Sequence, residues 1–413
     1  MEFNSISPTC LHLDLNSCFA SIEQQANPFL RGKPIVVAAF NSKKGCILAS
    51  SIEAKRLGIK TGMWVSEAQK IYSKLKVLTP DPWKYRNVHI KFRKLISEYT
   101  NDFSPKSIDE FVLNLSEYTT IKNSPIVVAS EIKERIKKEI GDWLTVSIGI
   151  APNRYLAKIA AGLHKPDGLD VLDINNFIGI YKNLKLTDLT GIKTRNAARL
   201  NSMGIYSVMD FYKAPIWKLK AAFHSITGLY WHMRLSGYEI DDFEVKRGSF
   251  GNSVALGKNI SKVTELSPIL ARLVEKMSGR LRNASYKASG IHLAIIYKNG
   301  SWWHKGRLLG KAYFDARDFY KSAFRLLLEA DPRSPVLNIA ITAFALSKDD
   351  NLQLGLFENE IKKKNLIDNI DKINNRWGDF TIGSAKSFGG AKVVMDRIAF
   401  GGIKELEEFS LNP

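Results

Sequence analysis

The sequence predicts an α+β fold spread over several domains, and three observations support this prediction. Short strand-like and helix-like segments follow one another in mixed order through the N-terminal half. The length of 413 residues corresponds to about two to four domains of the usual size. The apolar fraction of 45% is ordinary for globular domains that bury their own cores.

The first strand is predicted over residues 11–16. Leu11, Leu13 and Leu15 alternate with polar residues, so the leucines fall on one face of a strand and the polar residues on the other. This pattern places the carboxylate of Asp14 away from the apolar face.

Further elements follow in the same half of the chain. Residues 52–57 are predicted to form a short helix that ends at Gly58, and Asn153 can cap a helix that follows Pro152. The other predicted strands are residues 34–40, 107–115 and 146–151.

The chain carries a strong positive charge, with 60 Lys and Arg against 41 Asp and Glu and a formal net charge of +19. A surplus of this size indicates a polyanionic partner, most often nucleic acid. Residues 244–345 hold 17 Lys and Arg against 7 Asp and Glu, so we expect this segment to face DNA. Residues 237–246 and 347–353 are polar, and they are the predicted linkers on either side of it.

Several protein classes are disfavoured. No apolar stretch approaches the about 18 residues that a membrane span needs, so an integral membrane protein is not expected. Cys10, Cys18 and Cys46 form no C-x-x-C pair, which argues against a disulfide framework and a zinc ribbon. Residues 1–8 do not resemble a secretory signal, and we expect the protein in the reducing cytosol.

Three acids differ from the surface background: Asp14 within an apolar strand and the adjacent pair Asp109 and Glu110. They could accept hydrogen bonds from a loop and end a strand. Alternatively, carboxylates on two neighbouring strands could hold a pair of Mg²⁺ ions at a phosphoryl-transfer site. Adjacent strand residues point to opposite faces, so the pair can serve one site only near a strand end or turn. Pro105, just upstream, makes such a turn possible.

Ordered motifs then indicate a family. The segment LDLNSCFASIE at residues 13–23 resembles the first motif of the Y-family translesion DNA polymerases, the family of DNA polymerase IV and of the catalytic subunit of DNA polymerase V. The segment SIDE at residues 107–110 resembles their second motif. Further similar segments are RGKPIVVA (31–38), EAKRLGIKTGM (53–63), SIGIAPN (147–153), LAKIA (156–160) and KPDG (165–168).

This resemblance implies the chemistry of the three acids. Asp14, Asp109 and Glu110 would be the catalytic, metal-binding carboxylates, and the backbone carbonyl of Leu15 would add a ligand. Two Mg²⁺ ions are implied, one to activate the primer 3′-hydroxyl and one to neutralise the triphosphate as pyrophosphate leaves.

The resemblance also implies nucleotide-binding residues: Cys18, Phe19, Lys55 and Lys165. Phe19 falls at the family's aromatic steric gate, which excludes a 2′-hydroxyl by clash; otherwise it is a core aromatic residue. Lys165 matches a lysine that contacts the triphosphate. Lys55 replaces the usual arginine, so a bidentate contact is lost.

Two more positions depart from the family pattern. The family often has Thr or Ser at the position of Ala49 and Tyr at that of Ile52, and both hydrogen-bond toward phosphate. Alanine and isoleucine cannot do this, so we expect weaker nucleotide affinity or compensation by other groups. Substitutions of this kind are more typical of the polymerase V catalytic subunit than of polymerase IV.

Residues 189–205 resemble a helix-hairpin-helix. Gly191 would form the tight turn whose backbone N–H groups contact a DNA phosphate. Lys193 replaces the second glycine of the usual motif, and the alternative is an ordinary helical hairpin. Gly191 and Lys193 are the DNA-binding residues predicted here.

The basic segment matches the family's little finger, a DNA-binding module. Trp302 and Trp303 could stack on bases there, although packing in the core or on the surface is the simpler role.

The pentapeptide QLGLF at residues 353–357 resembles the bacterial motif that binds the sliding clamp. Leu356 and Phe357 would enter an apolar pocket while Gln353 fixes the register, with Leu354 between them. No chemical role is predicted for the residues that follow.

The resemblance therefore implies a right-hand polymerase with an α/β little finger. The palm is predicted at residues 1–20 and 82–170, small fingers at 21–81, a helical thumb at 171–240, the little finger at 246–346 and a tail at 347–413.

The expected function is Mg²⁺-dependent, low-fidelity DNA synthesis across damaged template by a monomer that binds primer-template DNA, dNTPs and a sliding clamp. No exonuclease-like motif is present, so proofreading is not expected. The alternatives are a non-catalytic DNA- and clamp-binding protein on the same fold and, less favoured, a palm-domain nucleotide cyclase.

Overall fold

The computed structural model describes residues 2–119, 124–242, 247–330, 334–348, 360–391 and 393–394. Helices and strands are interleaved through these residues, which confirms the α+β prediction. The chain forms two compact units, Met1–Phe243 and Glu244–Asp396. In the described part of the chain, every helix is too short or too polar to span a bilayer.

The strands are distributed over three sheets. They are β1 (Cys10–Leu15), β2 (Ile35–Ala38), β3 (Ile47–Ser50), β4 (Lys76–Leu78), β5 (Phe103–Pro105), β6 (Glu110–Asn114), β7 (Val146–Ala151), β8 (Leu169–Val171), β9 (Ser249–Ile260), β10 (Tyr286–Tyr297), β11 (Trp302–Tyr313) and β12 (Val336–Lys348). The sheet orders are β5-β6-β1-β7-β8, β3-β2-β4 and β11-β10-β12-β9.

The α-helices are α1 (Cys18–Ala26), α2 (Ile52–Arg56), α3 (Val65–Ile71), α4 (Pro82–Ile96), α5 (Ser116–Thr119), α6 (Pro125–Arg135), α7 (Arg154–Leu163), α8 (Phe177–Asn183), α9 (Thr194–Ser202), α10 (Val208–Lys213), α11 (Ile216–Phe223), α12 (Thr227–Leu235), α13 (Val263–Asn283), α14 (Ala316–Ala330) and α15 (Glu360–Trp377). A π-helical turn, Ile136–Ile140, extends α6, and short 3₁₀ turns occur at Pro28–Leu30, Leu186–Asp188 and Ala385–Gly390.

The five-stranded sheet has β1 at its centre, paired antiparallel with β6 and β7. Leu11, Leu13 and Leu15 are buried in one core with α1, α4 and α6, as the alternating sequence predicted. The strand predicted at 107–115 is shorter than expected. It begins at Glu110, because Lys106 and Ser107 donate backbone hydrogen bonds to the Glu110 carbonyl and close a turn after β5.

The predictions for β7 and α7 are confirmed. Asn153 caps α7, its side-chain oxygen accepting a hydrogen bond from Leu156 N at 2.7 Å. A Cβ on Gly149 of β7 would lie 2.1 Å from backbone atoms of Ala157 and Ala161. Glycine at this position therefore allows α7 to lie directly against the sheet.

Helices α8 to α12 form a bundle, which shares its hydrophobic core with one side of the five-stranded sheet. The shared core contains Val112 and Leu156 from the sheet and α7, together with Leu200, Phe211 and Trp231 from the bundle. One face of the three-stranded sheet packs with α2 and α3 in a small core of its own. Its other face, which includes Ile35 and Val37, joins the core of the five-stranded sheet.

In the second unit, α13 and α14 cover one face of the four-stranded sheet, and they share its core. Helix α15 belongs to the same unit, although the sequence assigned no structure to this region. Arg282 on α13 forms a bidentate pair with Asp371 on α15, at 2.6 and 2.7 Å. The 3₁₀ turn at Ala385–Gly390 packs on α13, where a Cβ on Gly390 would lie 2.6 Å from the Pro268 carbonyl oxygen.

Candidate active site

Two of the three predicted carboxylates face each other across the central strand pair. Asp14 on β1 is the direct partner of Glu110, the first residue of β6. His12 lies two residues before Asp14 and therefore on the same face of β1. One possible ligand atom from each of His12, Asp14 and Glu110 lies within 4.8 Å of the others. The antiparallel register thus produces a compact cluster that could hold a metal ion.

Asp109 lies at the turn just before β6, which meets the geometric condition for two adjacent acids to serve one site. Its backbone carbonyl accepts a hydrogen bond from Leu15 N at 2.9 Å, so it is fixed to the end of β1. Burial raises the pKa of the Asp109 carboxyl, and the negative charges of Asp14 and Glu110 raise it further. The hydrogen bond that the Ser107 hydroxyl donates to this carboxyl acts in the opposite direction and lowers the pKa.

Two lysines neutralise the cluster. Lys165 Nζ lies 2.5 Å from Asp14 Oδ2, and Lys158 Nζ lies 2.7 Å from Glu110 Oε2. Lys165 was among the predicted nucleotide-binding residues, whereas Lys158 was not singled out. In the sequence, Lys158 could have been noticed as the single charged residue between Leu156 and Ala161, on a helix where the adjacent residues are buried.

His12 was also overlooked, although it lies on the polar face of the predicted first strand. Its side chain is 2% exposed, and its Nε2 is 3.8 Å from Glu110 Oε2. Among the described residues neither ring nitrogen has a hydrogen-bond partner. Burial, with the nearby charges of Lys158 and Lys165, lowers the pKa of His12 to about 3.

The loop that carries Lys165 is held from two directions. Asn16 Oδ1 accepts a hydrogen bond from Asp167 N at 2.7 Å. On the other side, Lys133 Nζ lies 3.0 Å from Asp167 Oδ1 and donates to the Gly168 carbonyl at 3.2 Å, while Lys137 Nζ lies 2.8 Å from Asp167 Oδ2. These contacts position the loop independently of the contact between Lys165 and Asp14.

Phe19 and Cys18 begin α1 and are both buried. The Phe19 ring is 3% exposed and stacks on Tyr85, with 4.2 Å between ring centroids and 7° between planes. The Tyr85 hydroxyl donates to Glu23 Oε1 at 2.9 Å, which fixes the second ring. Burial raises the pKa of the Cys18 thiol well above its usual value, so this side chain stays neutral in the core.

Lys55 lies on α2, which is capped by the Ser51 side chain. Burial lowers the pKa of Lys55, and so does the charge of Lys165, while Asp14 and Asp109 oppose these effects. Lys55 is therefore close enough to Lys165 for the two charges to interact. Ala49 on β3 and Ile52, the first residue of α2, add no hydrogen-bonding side chain here.

The structure has the predicted turn at Gly191 just before α9. Gly191 has a φ of +92°, and a Cβ there would lie 3.2 Å from the Trp231 ring, so glycine suits both the turn and the packing. Lys193 is the residue before α9, and its Nζ donates to the Thr187 carbonyl at 3.3 Å. The element directly before the Gly191 turn is a 3₁₀ turn, Leu186–Asp188, and not an α-helix.

Some charged side chains of the basic segment form ion pairs within that segment. Lys305 and Arg307 on β11 both pair with Glu329 on α14, so they lie on the helix side of the sheet. Trp303 packs against the core, whereas Trp302 is 66% exposed. The proposed clamp-binding residues Gln353, Leu354, Leu356 and Phe357 lie outside the described residues.

Comparisons with known proteins identify relatives of this chain. Residues 13–162 match the impB/mucB/samB family, and residues 247–356 match the C-terminal domain of that family. DNA polymerase IV of Pelotomaculum thermopropionicum is 30% identical over 390 residues, which cover 93% of this chain and 96% of the relative. DNA polymerase IV 1 of Bacillus subtilis is 30% identical over 380 residues, covering 89% and 90%. The solved Y-family DNA polymerase chimera Dbh-Dpo4(243-245)-Dbh superposes with a TM-score of 0.72 at 25% identity, covering 81% of this chain and 98% of the chimera.

Proposed function

The chain belongs to the Y family of translesion DNA polymerases, and from this premise we propose that Asp14, Asp109 and Glu110 form its catalytic centre. The enzyme adds dNTPs to a primer 3′ end opposite damaged template by two-metal phosphoryl transfer, without proofreading. The observation that carries the proposal is the direct cross-strand pairing of Asp14 with Glu110, with Asp109 at the adjoining turn.

The donor set fits divalent cations. Carboxylate oxygens are the ligands that Mg²⁺ prefers, and here the carboxylates of Asp14 and Glu110 lie close together, with Asp109 at the adjoining turn. Asp14, Asp109, Glu110 and the Leu15 carbonyl would hold two Mg²⁺ ions. These ions would supply Lewis-acid activation of the primer hydroxyl and charge neutralisation at the triphosphate.

The chain's own residues bind and select the nucleotide. Lys165 and Lys55 present two ammonium groups to the triphosphate. The Phe19 ring, backed by Tyr85, closes the space beside the sugar and excludes a 2′-hydroxyl. Cys18 contributes through its backbone, because its thiol is buried.

We assign the palm to residues 1–20 and 82–170, the fingers to 21–81, the thumb to 171–240 and the little finger to 246–346. The turn at Gly191 supports DNA binding by the thumb, with backbone N–H groups and Lys193 directed to phosphate. The charge excess of residues 244–345 supports DNA binding by the little finger.

Residues 353–357 are proposed to bind the bacterial sliding clamp. Deleting them should leave distributive primer extension intact and abolish its stimulation by the clamp. Persistent stimulation would reject this motif without touching the catalytic assignment. Sedimentation of the purified protein should show a monomer.

Primer extension with purified protein, Mg²⁺ and dNTPs tests the catalytic assignment. Asp109→Asn should abolish extension, since a neutral amide removes a metal-binding charge. Asp142→Asn is the matched control: Asp142 also lies in the first unit, but it pairs with Arg31 at 2.8 Å. If the intact protein binds DNA and extends no primer, the chain is a non-catalytic DNA-binding member of the fold. Extension that survives Asp109→Asn would remove Asp109 from the site.

A further inference from the structure

We propose that His292 and His304 bind one first-row divalent transition-metal ion, with Zn²⁺ as the representative ion, on the face of the four-stranded sheet opposite α13 and α14. The two side chains belong to neighbouring strands, β10 and β11. The inference goes beyond the proposed function and does not rest on it, because the site lies in the second unit and is tested without DNA or nucleotide.

Strand alternation places both histidines on that face. Leu293, the residue after His292, is buried in the core that the sheet shares with its helices, and Trp303, the residue before His304, packs against the same core. Adjacent residues of a strand point to opposite faces of a sheet. Both imidazoles are therefore directed away from the helices.

The strand register brings the two rings together. His292 pairs with Gly306 and His304 with Ala294, so the two histidines are diagonal neighbours across one antiparallel strand pair. His292 Nε2 lies 3.1 Å from His304 Nδ1. Imidazole nitrogens lie about 2.0–2.1 Å from Zn²⁺, so two nitrogens at this separation subtend an angle of about 98° at the ion. The tetrahedral angle is about 109°, so the two nitrogens are already close to the separation that chelation requires.

Neighbouring side chains hold the rings and leave room for an ion. Trp302 lies two residues before His304 on the same face, and the two rings stack with 4.9 Å between centroids and 20° between planes. Gly306 lies beside His292, where a Cβ would be 3.3 Å from the ring atom Cδ2. The tryptophan therefore orients one ligand, and the glycine keeps a side chain from crowding the other.

The ionisation state of the pair favours a metal ion. Burial lowers the pKa of His292, and the charge of His304 lowers it further, so the His292 imidazole is neutral at pH 7. Neutral imidazole is the form that binds metals. The residues paired with the two histidines across the sheet, Gly306, Thr342 and Ala294, are uncharged and add no repulsion toward a cation.

Binding of an ion requires only a change of tautomer. In a hydrogen bond between two neutral imidazoles, one facing nitrogen carries the proton and the other accepts it. When the ion binds, this proton moves through water to the outer nitrogen of the same ring. Both facing nitrogens then present lone pairs, and no net proton is released. His304 is exposed, so water reaches the pair.

The chemistry of imidazole decides which metals the site selects. Zn²⁺, Cu²⁺ and Ni²⁺ accept imidazole nitrogen, whereas Mg²⁺ is a hard cation that takes oxygen ligands. The histidine pair therefore discriminates against Mg²⁺. Two protein ligands leave the remaining coordination positions of the ion to water.

The test uses the full-length protein with Zn²⁺ as the probe, in an excess of Mg²⁺ that occupies oxygen sites. Isothermal titration calorimetry should detect Zn²⁺ binding by the wild type. The affinity should fall at least about tenfold in His292→Ala and in His304→Ala, because each variant loses one of only two protein ligands. The matched control, His224→Asn, removes an exposed histidine of the first unit, and asparagine tolerates its φ of +49°. This control should bind Zn²⁺ like the wild type.

Circular dichroism checks that each variant is folded. If His292→Ala does not fold, His304→Ala decides alone, because its ring is exposed and its loss leaves the core intact. Anomalous scattering from crystals soaked in Zn²⁺ should place the ion between His292 Nε2 and His304 Nδ1, about 2 Å from each. The proposal is overturned if the wild type binds no Zn²⁺ in excess Mg²⁺, if a folded histidine variant retains wild-type affinity, or if the ion lies elsewhere.

Discussion

Lys165 Nζ lies 2.5 Å from Asp14 Oδ2, so the lysine proposed to bind the triphosphate contacts a carboxylate proposed to bind metal. The pair balances the charge of Asp14 within a site that contains two further acids. Lys158 does the same for Glu110 at 2.7 Å. Each lysine therefore has a carboxylate to which it is bound before any substrate arrives.

Lys165→Met should raise the KM for dNTPs about tenfold or more and leave the Kd for primer-template DNA nearly unchanged. Methionine keeps the length of the side chain and removes its point charge from the triphosphate. Steady-state kinetics on one primer-template measure this effect. Lys70→Met, at an exposed lysine on α3, is the control. An unchanged KM would exclude a triphosphate contact by Lys165.

Lys133→Met should also raise the KM for dNTPs, although Lys133 lies behind the loop rather than in the site. It holds Asp167 and the Gly168 carbonyl, and the loss of these contacts frees the loop that positions Lys165. In a double-mutant cycle, the effects of Lys133→Met and Lys165→Met should be less than additive. Full additivity would mean that Lys133 acts independently of Lys165.

Phe19→Leu should increase ribonucleotide incorporation about tenfold or more relative to deoxyribonucleotide incorporation. In the proposed gate, the planar ring stacked at 4.2 Å on Tyr85 would clash with a 2′-hydroxyl, whereas leucine is narrower. Competition between rNTP and dNTP on one template measures the change. Tyr85→Phe keeps the stacking and loses only the hydrogen bond to Glu23, so it should retain discrimination. Equal discrimination by Phe19→Leu and wild type would place the gate elsewhere.

Arg282→Met should loosen α15. The two charged hydrogen bonds to Asp371 are mostly buried, with 16% and 18% of the side chains exposed, and their loss costs about 2 kcal/mol. Hydrogen–deuterium exchange of Glu360–Trp377 should become at least about tenfold faster. Arg317→Met is the control, because Arg317 is 60% exposed and pairs with Asp315 only two residues away. Unchanged exchange would show that apolar packing alone holds the helix.

Local sequence signals predicted the elements that carry the site. A period of two defined the faces of β1, and a polar residue before an apolar helix defined the cap at Asn153. The place of Asp109 and Glu110 at a strand end was also anticipated, because Pro105 favours a turn nearby. Each of these features depends on residues that are close in the sequence.

The remaining contacts join residues that are far apart. Lys158 and Glu110 are separated by 48 positions, and Arg282 and Asp371 by 89, so no local pattern predicts them. The closeness of His12 to Glu110 depends on the register between β1 and β6, which the sequence alone leaves open. The helix at Glu360–Trp377 was overlooked because its apolar residues become informative only when α13 is its neighbour.

The hydrophobic core shared by the five-stranded sheet and the bundle of α8 to α12 has a mechanical consequence. Asn153 fastens the same junction, donating to the carbonyls of Arg234 and Tyr238 at 3.0 and 2.9 Å. Because a close-packed interior is hard to deform, we expect the bundle to move together with the sheet and not about a hinge between them. Any adjustment of the first unit to substrates of different width is therefore expected from its loops.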